Sequence, residues 1–581
     1  MKSEIIIGID LGTTNSEVAV IQNGKVKVID VDGRKILPSV VGLSPENELL
    51  IGEEAKNQYF LYPERTILSI KRLMGKSEKI LLGQTAYTPQ EISSLILKKL
   101  KKAAETALNT PLSKAVITVP AYFSDAQRQA TREAGELAGL DVVRIINEPT
   151  AAALSYGVDN KEEKIVLVYD LGGGTFDVSL VSLHEQMVEV LASSGNNFLG
   201  GDDFDAKIEE FIENNLKKDG VESSISSQAR ARIKRAAEKA KITLSDHPFA
   251  LIEEEYLLDH LGNPYHLSLE LSREDYKEMI MPFIEETLES VDKVLESAKR
   301  MASDVDEILL VGGSTRTPLI SEKLETLFRS KPLLKIDPEL CVVMGAALQA
   351  GAIGGEKCDA VLVDVTPYTF GTNYLDILHN LPYDYAYQPI IEKNTPIPVT
   401  KSEVFYTMFD EQEAVEVIVY QGENEDALEN IEIGEFSISG LSKVPAGNPI
   451  IVNFKLDLDG ILYVSAQEKL SGIEQKIVIK NAISQFTEQE MKDAKKKIDS
   501  LFQSNEKEGF NDASSAVQNT AHALITKATP LLIQFSQEDQ EDIVNLVEEI
   551  QEALRMKEDE KLITLTDKLS DMLFYLDANV A

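Results

Sequence analysis

Apolar residues at the start of the chain have the spacing of a short buried strand. The run over residues 5–9 is rich in β-branched side chains and leads directly into Asp10. Gly12 then permits a tight turn in which backbone N–H groups can approach an anion. With a second strand over residues 18–21, the pattern predicts a hairpin with a phosphate-sized tip and a carboxylate that could hold Mg²⁺ through water. An ordinary hairpin with a polar turn would show the same pattern.

The same arrangement returns 160 residues further on, where residues 165–181 contain Asp170, three consecutive glycines and Thr175. Further glycine-rich turns follow at residues 199–203 and 308–316. Two duplicated lobes would each present a hairpin to a shared cleft and clamp a polyphosphate from both sides. Asp10 and Asp170 would then orient the metal and its waters.

Up to about residue 355, strand-like runs alternate with helical patterns, which is typical of an α/β architecture. Apolar spacing predicts a helix over residues 89–108, and Ser124 or Asp125 is the predicted cap of the next helix. A strand over residues 142–146 delivers Glu148 to its carboxyl end, where α/β proteins place ligand-binding groups. Glu148 could also act only as a favourable charge at a helix N-terminus.

After residue 365 the pattern changes to the strict alternation of half-buried strands. Residues 414–420 place valines on one face, and residues 448–466 predict a hairpin around Asp459. Helical spacing returns from Thr487 onwards. Two apolar stripes predict the core of a helical bundle, and they consist of Ile543, Leu546, Val547, Ile550 and Leu554, and of Leu562, Leu565, Leu569, Met572 and Leu576.

Composition narrows the possible functions. The 581 residues exceed the size of one hydrophobic core, so we expect three or four domains. A net charge of −38 disfavours nucleic acid and anionic membranes, and it reflects either solubility or a preference for basic partner surfaces. Cys341 and Cys358 are too few for a disulfide framework, and six scattered histidines form no HExxH site. Without a signal peptide or a membrane-length apolar run, we expect a cytoplasmic protein.

Six ordered motifs carry a family resemblance: IGIDLGTTNS, VPAYFSDAQRQATREAGELAGL, INEPTAAALSYG, YDLGGGTFDVSL, FLGGDDFD and VGGSTRTPLI. Together they resemble the DnaK-type heat-shock chaperones of the actin-like ATPase superfamily. Neither a P-loop pattern nor a GxGxxG fingerprint is present. A short C-terminal helical region, a leucine-poor linker and an altered peptide groove make the chain most similar to the specialised HscC-type branch.

The resemblance implies a multidomain α/β, β and α fold. An actin-like ATPase domain of two duplicated lobes is expected over residues 1–355, with an interdomain linker over residues 356–364. A β-sandwich that binds peptides is expected over residues 365–484, and a helical lid over residues 485–581.

The resemblance also implies the residues of an Mg²⁺-dependent ATP site, with K⁺ as a further candidate cofactor. The matching ATP-binding positions are Asp10, Gly12, Thr13, Thr14, Asn15, Gly172, Gly173, Gly174, Thr175, Gly200, Gly201, Asp202, Glu238, Lys241, Ser245, Gly312, Gly313, Ser314, Arg316 and Glu339. The matching catalytic positions are Lys71, Glu148, Asp170, Thr175 and Asp177, and those for the metal, largely through water, are Asp10 and Asp170. This set suits phosphoryl transfer, which needs positioning and charge compensation more than a strong base.

Residues outside the ATP site are implied in the same way. Pro120 and Arg128 match positions that relay the nucleotide state, whereas Arg144 and Asp364 match positions of J-domain contact. Phe405, Met408, Val415 and Val417 match peptide-groove positions, although a pure core role would look identical in sequence.

The chain also departs from the family pattern. Glu339 stands where members typically carry an aspartate near the adenine. The first groove loop, residues 371–393, is longer than usual and rich in tyrosine, and Thr372 replaces an aliphatic residue. We therefore expect a differently shaped groove.

The resulting hypothesis is an ATP-hydrolysing chaperone of the stress response. It would capture and release extended hydrophobic segments of unfolded proteins, together with a J-domain co-chaperone and a nucleotide-exchange factor. A small-molecule (sugar) kinase of the actin-like superfamily and an actin-like filament protein are the alternatives. Neither requires the linker, the strand-rich region and the helical region downstream.

Overall fold

The computed structural model describes residues 4–22, 24–157, 163–184, 187–221, 225–260, 263–333, 337–356, 361–378, 381–478, 486–506, 521, 537–556, 561–566 and 568–569. By its internal contacts the chain falls into two compact units. The first comprises residues 1–254 and 268–500, and the second comprises residues 255–267 and 501–581.

The N-terminal part of the chain alternates strands and helices. Its strands are β1 (Ile7–Leu11), β2 (Asn15–Gln22), β3 (Lys25–Val28), β4 (Leu37–Pro38), β5 (Val41–Leu43), β6 (Leu49–Ile51), β7 (Thr66–Ile67), β8 (Ile80–Leu82), β9 (Thr85–Tyr87), β10 (Lys114–Val119), β11 (Asp141–Asn147), β12 (Lys164–Leu171), β13 (Phe176–His184), β14 (Met187–Asn196), β15 (Phe249–His260), β16 (Asn263–Ser272) and β17 (Glu307–Val311). Its α-helices are α1 (Glu53–Gln58), α2 (Pro89–Leu108), α3 (Asp125–Leu137), α4 (Glu148–Gly157), α5 (Gly201–Lys218), α6 (Ser227–Asp246), α7 (Arg273–Ser297), α8 (Pro318–Phe328) and α9 (Cys341–Gly354). Short 3₁₀ helices cover Pro63–Arg65, Ile70–Leu73, Ala302–Asp304 and Gly313–Arg316.

Two mixed sheets in this part are built alike. The first has the order β11-β10-β1-β2-β3, and the second begins with the order β17-β12-β13-β14. In the first sheet the hairpin β1–β2 pairs Asp10 with Glu17, and β1 lies parallel to β10. In the second, the hairpin β12–β13 pairs Asp170 with Asp177, and β12 lies parallel to β17. The two sheets repeat one strand arrangement, as the duplicated motif predicts.

Small residues bring the two central helices α4 and α9 close together. A Cβ atom built on Gly345 would lie 1.8 Å from the Ala151 carbonyl oxygen, so only glycine fits at this contact. Around it Ala151, Ala152, Ala346 and Ala350 belong to one buried cluster with the strand valines. Dense packing of this kind fixes the helices relative to both sheets.

The helix starts follow local capping chemistry. The predicted helix over residues 89–108 is confirmed as α2, and it begins with a capping box between Thr88 and Glu91. Helix α3 is capped by the Ser124 side chain, which accepts a hydrogen bond from the Gln127 N–H. Of the two predicted caps, Ser124 and Asp125, the cap is therefore Ser124.

The strand-rich region begins at residue 361 and contains two four-stranded sheets. Its strands are β18 (Val361–Val365), β19 (Phe370–Leu378), β20 (Leu381–Ile391), β21 (Pro396–Ile397), β22 (Val399–Tyr406), β23 (Ala414–Gln421), β24 (Ile431–Ser439), β25 (Pro449–Leu456), β26 (Leu462–Glu468) and β27 (Glu474–Val478), with a 3₁₀ helix at Ala427–Glu429. One sheet has the order β20-β19-β23-β24 and the other β22-β25-β26-β27. Both contribute to one core that includes Val417, Val419, Val452, Phe454 and Val464. We call these two sheets the sheet pair.

The end of the predicted linker is a strand of the N-terminal architecture. β18 pairs in parallel with β14, matching Val188 with Leu362, and pairs antiparallel with β21. The second sheet therefore continues beyond β14 through the linker strand to the edge of the sheet pair. Of the predicted linker, residues 357–360 lie outside the described residues, and these include Cys358 and Ala360.

Ion pairs tie the sheet pair to the first lobe within the same unit. Asp459, in the turn between β25 and β26, meets Arg132 at 2.7 Å and Arg144 at 3.3 Å. Asp459 also accepts from the Ile145 N–H. The turn between β25 and β26 therefore makes polar contacts with both α3 and β11.

Helix α10 (Glu488–Glu506) contacts the start of α2 through its residues before Ser500. Lys497 donates to the Ala86 carbonyl and to Glu91 Oε1, and its ammonium group lies 3.7 Å from the centre of the Tyr87 ring. Lys98 and Asp499 form a further ion pair at 2.5 Å.

The second unit contains helix α11 (Gln537–Met556) and a short helical stretch over residues 561–566. Its buried cluster confirms most of the two predicted apolar stripes, since Ile543, Ile550, Leu562, Leu565 and Leu569 pack with Leu546, Val547 and Leu554. Met572 and Leu576 lie outside the described residues. Among the helices of the described part of the chain, none has the length and apolar character needed to cross a lipid bilayer.

One carboxylate organises a corner of the sheet pair. Glu468 is fully buried and accepts hydrogen bonds from Ser442 N, Ser442 Oγ, Asn448 Nδ2 and Ser471 Oγ. Burial alone would raise the pKa of Glu468, but the donors from Ser471, Asn448 and Ser442 outweigh it and lower the pKa to about 2. The carboxylate therefore holds together, in its ionised form, the loop between β24 and β25 and the loop between β26 and β27.

We expect Glu468→Gln to destabilise the sheet pair by about 2–3 kcal/mol, because an amide nitrogen cannot accept these hydrogen bonds. Because the folded pKa is depressed, the stabilisation is complete above the ordinary glutamate pKa and is lost as the pH falls towards 2. Urea unfolding of the full chain between pH 7 and pH 3 measures both effects. The exposed Glu435→Gln serves as a matched control, and equal unfolding midpoints for the two variants would refute the role of Glu468.

Candidate nucleotide-binding site

A cavity of about 760 Å³ opens between the two repeated hairpins. Its size lies within the usual range for small-molecule and cofactor sites. Most of the sequence-predicted residues line it: Asp10, Gly12, Thr13, Thr14, Asn15, Lys71, Glu148, Asp170, Gly172, Gly173, Thr175, Asp202, Glu238, Lys241, Ser245, Gly312, Gly313, Ser314, Arg316 and Glu339. One cleft therefore brings together side chains that are up to about 330 residues apart in sequence.

Four predicted residues lie behind the cavity wall instead. Gly174 packs against Thr13, and Gly200 packs against the backbone of Gly173. Gly201 donates its N–H to the Gly172 carbonyl. Asp177 is 1 % exposed and sits opposite Asp170 in the hairpin β12–β13.

The two hairpin tips meet across the cleft. A Cβ atom on Gly173 would lie only 1.8 Å from Thr14 Oγ1, which requires glycine at this position. Thr14 Oγ1 itself is buried and has no hydrogen-bond partner in the described part of the chain. A buried hydroxyl without a partner is costly, so this atom fits a phosphate oxygen that would accept its hydrogen bond.

The second strand of the first hairpin was predicted over residues 18–21, but in the structure β2 already begins at Asn15. The turn is therefore tighter than expected. A Cβ atom on Gly12 would lie 2.0 Å from the Asn15 carbonyl oxygen, which leaves no room for a larger residue.

Carboxylates crowd the floor of the cleft. Burial raises the pKa of Asp10 and of Asp170, although Lys71 opposes both shifts. Burial also raises the pKa of Glu148 and of Asp177 to about 7 in each case. Such a set of oxygen donors suits a hard divalent cation such as Mg²⁺.

No group of three or more His, Cys, Asp or Glu side chains in the described ranges is arranged to hold a metal ion directly. A magnesium ion at Asp10 and Asp170 would therefore take most of its ligands from water and from phosphate oxygens, as Mg²⁺ commonly does.

Lys71 is the buried cation of the cleft floor. It lies in the 3₁₀ helix Ile70–Leu73, is 3 % exposed and contacts Glu148 Oε1 at 2.5 Å. Its ammonium group also lies 5.7 Å from the centre of the Phe123 ring. A buried ammonium held in this way is positioned to compensate negative charge on a ligand.

Polar residues of α6 and of the loop before α8 line the opposite end of the cleft. Lys241 meets Asp205 at 2.7 Å and donates to the Gly201 carbonyl, whereas Glu238 meets Lys56 of α1 at 3.0 Å. Arg316 and Glu339 are 3.3 Å apart. Glu339 therefore lines the cleft beside Arg316 and Gly313.

Several cleft residues were missed in the sequence. Thr118 donates to Asp10 Oδ1 at 2.6 Å, and Ser39 Oγ donates to the Gly12 carbonyl at 2.9 Å. Thr118 is a polar residue near the end of a buried strand, which was a usable signal. Ser39 carried no such signal, because its position depends on the pairing of β4 with β2.

The residues implied in interdomain signalling lie between the first lobe and the sheet pair. Arg128 donates to the carbonyls of Ala121 and Phe123 and to Asn147 Oδ1. Asn147 donates in turn to Asp364 Oδ2 at 2.9 Å. Arg144 contacts Asp459, and Pro120 directly follows β10.

The implied peptide-groove residues differ in exposure. Val417 is 4 % exposed and belongs to the core of the sheet pair, whereas Met408 is 49 % exposed. Phe405 and Val415 are partly buried against the same core. Thr372 is buried and donates to the Ile418 carbonyl, so its hydroxyl serves the strand ladder.

Comparison with known proteins agrees with this geometry. The chain is 47% identical over 489 residues to the chaperone protein DnaK of Thermotoga petrophila, covering 82% of this chain and 80% of that protein. The chaperone protein DnaK of Thermotoga neapolitana and that of Thermotoga maritima show the same identity and coverage. The family model described as Hsp70 protein matches residues 6–81 and 78–579. On this evidence the chain belongs to the Hsp70 family.

Proposed function

We propose that this chain is an Mg²⁺-dependent ATPase that uses ATP to control the capture and release of unfolded, hydrophobic peptide segments. The observation that carries the proposal is the cleft that Gly173 and Thr14, in contact with each other, line together with the buried Lys71. Family membership supports the same conclusion, since the relatives named above are chaperones.

The geometry suggests a separate role for each group of residues in ATP binding and hydrolysis. Backbone N–H groups of the two glycine-rich tips would bind the phosphates from both sides, and Lys71 would compensate charge that develops during phosphoryl transfer. Mg²⁺, held through water by Asp10 and Asp170, supplies further charge neutralisation when bound. Glu148 and Asp177, each with a pKa raised to about 7 by burial, are suited to take up a proton near neutral pH.

The contacts of the sheet pair suggest how the cleft would be coupled to peptide binding. β18 extends the sheet that contains Asp170, and Asp459 bridges to Arg132 and Arg144. Two global states that differ in these contacts would let ATP and peptide oppose each other, and linkage requires the effect to be reciprocal.

The finer assignments rest on the resemblance and remain proposals. They are a β-sandwich and lid with the bounds given above, similarity to the HscC-type branch, K⁺ as a cofactor, a J-domain co-chaperone and an exchange factor as partners, and a cytoplasmic location. The contacts of Arg144 and Asp364 with Asp459 and Asn147 favour a role for these residues at the edge of the sheet pair.

One mixing experiment tests the proposed function. We expect ATP hydrolysis by the full chain to rise when an unfolded apolar peptide is added, and to rise further with a J-domain protein. A panel of sugars serves as the control, because a small-molecule kinase would consume ATP faster with one of them. Stimulation by a sugar and not by the peptide would refute the chaperone proposal.

A pair of glycine variants tests the two-sided phosphate cradle. Gly173→Ala would drive a methyl group into Thr14 Oγ1, whereas the Cβ atom of Gly172→Ala would have its nearest neighbour, the Thr175 carbonyl oxygen, at 3.8 Å. We expect Gly173→Ala to weaken ATP binding more than tenfold, which is more than about 1.4 kcal/mol, and Gly172→Ala to change it little. Calorimetric titration with ATP and Mg²⁺ measures the difference, and equal affinities would contradict the cradle.

Lys71→Ala tests the charge-compensating role. Because the lost interaction is made mainly in the transition state, we expect ATP binding to persist while single-turnover hydrolysis slows by about 100-fold or more. Lys76→Ala is the matched control, since Lys76 follows in the same segment but is exposed and faces Phe198. A hydrolysis rate within a few-fold of the parent chain for Lys71→Ala would remove this residue from the mechanism.

A further inference from the structure

Residues 121–123 form a backbone segment that supports two of the proposed catalytic side chains. The Tyr122 N–H donates to Asp177 Oδ1 at 2.9 Å, so this peptide group fixes one oxygen of the buried carboxylate. The next residue, Phe123, faces the ammonium group of Lys71 with its ring. A small shift of this segment would move both groups at the cleft floor.

Each carbonyl of the segment accepts a hydrogen bond. Arg128 holds the Ala121 and Phe123 carbonyls from α3, at 3.0 and 3.2 Å. The Tyr122 carbonyl between them accepts from Asn197 Nδ2 at 2.7 Å and from the hydroxyl of Tyr368 at 2.6 Å. Arg128 and Asn197 belong to the N-terminal lobes, whereas Tyr368 lies between β18 and β19, at the entrance to the sheet pair.

The contact of Tyr368 is also a packing contact. Its ring centre lies 4.8 Å from that of Tyr122, and the two ring planes are inclined by 48°. Aromatic pairs favour such tilted arrangements over a face-to-face stack. Beside it, Thr369 donates to Glu423 at the start of the loop after β23. Movement of the sheet pair would therefore displace Tyr368 with it.

We propose that the Tyr368 hydroxyl is a positioning group for ATP hydrolysis, which transmits the docking of the sheet pair to Asp177 and Lys71 through the backbone of Tyr122 and Phe123. This inference rests on the proposed function, because it assigns a regulatory contact to the same cleft. The path is short. The Tyr122 carbonyl oxygen accepts from the Tyr368 hydroxyl, and the N–H of the same residue donates to Asp177, which lies behind the cavity wall.

The docked arrangement would hold the segment in one position, and release of Tyr368 would free it to adjust during hydrolysis. We therefore expect Tyr368→Phe to raise the unstimulated turnover of ATP by about threefold or more and to leave the KM for ATP unchanged. Stimulation by an unfolded apolar peptide should shrink by a similar factor, since part of the restraint that the peptide relieves is already absent.

Tyr156→Phe is the matched control, because its hydroxyl binds Glu307 at the start of β17 and Tyr156 lies outside both the cavity wall and the groove loop. Tyr368→Leu, which also removes the ring, should show a larger loss of stimulation than Tyr368→Phe. Thermal unfolding of each variant identifies one that does not fold, and Tyr368→Phe retains the ring that packs on Tyr122.

Hydrogen exchange followed by mass spectrometry gives a readout independent of activity. With ATP bound, the peptide that contains residues 121–123 should exchange faster in Tyr368→Phe than in the parent chain and in Tyr156→Phe. Unchanged peptide stimulation together with unchanged exchange in Tyr368→Phe would overturn the inference. If the parent chain itself showed no stimulation by peptide, the proposed function would fail instead, so the two failures are distinguishable.

Discussion

The structure depends on an excess of buried negative charge around a single ammonium group. Asp10, Glu17, Glu148, Asp170 and Asp177 are each at most 9 % exposed, and Lys71 lowers the pKa of every one of them against the effect of burial. In a low-dielectric site such carboxylates repel one another unless cations or protons compensate them. The cleft therefore favours a ligand that brings its own divalent cation, and such a ligand would bind both lobes at once. Part of the free energy of binding that ligand would then stabilise one arrangement of the two lobes.

The strand order shows how a change in the cleft could reach the linker strand and the sheet pair. β12 presents Asp170, and the same sheet continues through β13 and β14 to β18, so the linker strand is part of the sheet that carries the metal-side carboxylate. From the other side, Asp459 reaches β11, the strand that ends next to Glu148. The first route runs through paired strands, whereas the second runs through the carboxylate of Asp459 to Arg132, Arg144 and the Ile145 N–H.

Local patterns were sufficient for much of the fold and for about half of the cavity wall. Apolar spacing predicted α2 with its bounds, and the Asp-Gly turn predicted the hairpin β25–β26. Motif resemblance named about half of the residues on the cavity wall. It could not show that Gly174, Gly200 and Asp177 support the wall from behind, because that depends on how two loops stack.

Contacts that depend on pairing between distant segments could not be predicted from the sequence. Thr118 reaches Asp10 only because β10 lies beside β1, and the linker strand pairs with β14 across about 170 residues. No sequence pattern singled out Tyr368. Its contact with Tyr122 spans 246 residues, and no periodicity or local propensity encodes a distance of that kind.

The contact between Glu91 of α2 and Lys497 of α10 can be broken without loss of the helix cap. The two carboxylate oxygens of Glu91 serve different partners: Oε2 accepts from the Thr88 N–H at the start of α2, and Oε1 accepts from Lys497 of α10. If α10 departs, the first turn of α2 keeps its cap, because the oxygen that satisfies it is not the one that Lys497 releases. The freed oxygen then faces water, where a carboxylate is well solvated. Separation of the two helices would cost two ion pairs, the hydrogen bond from Lys497 to the Ala86 carbonyl and one cation–π contact, and it would leave the cap of α2 intact.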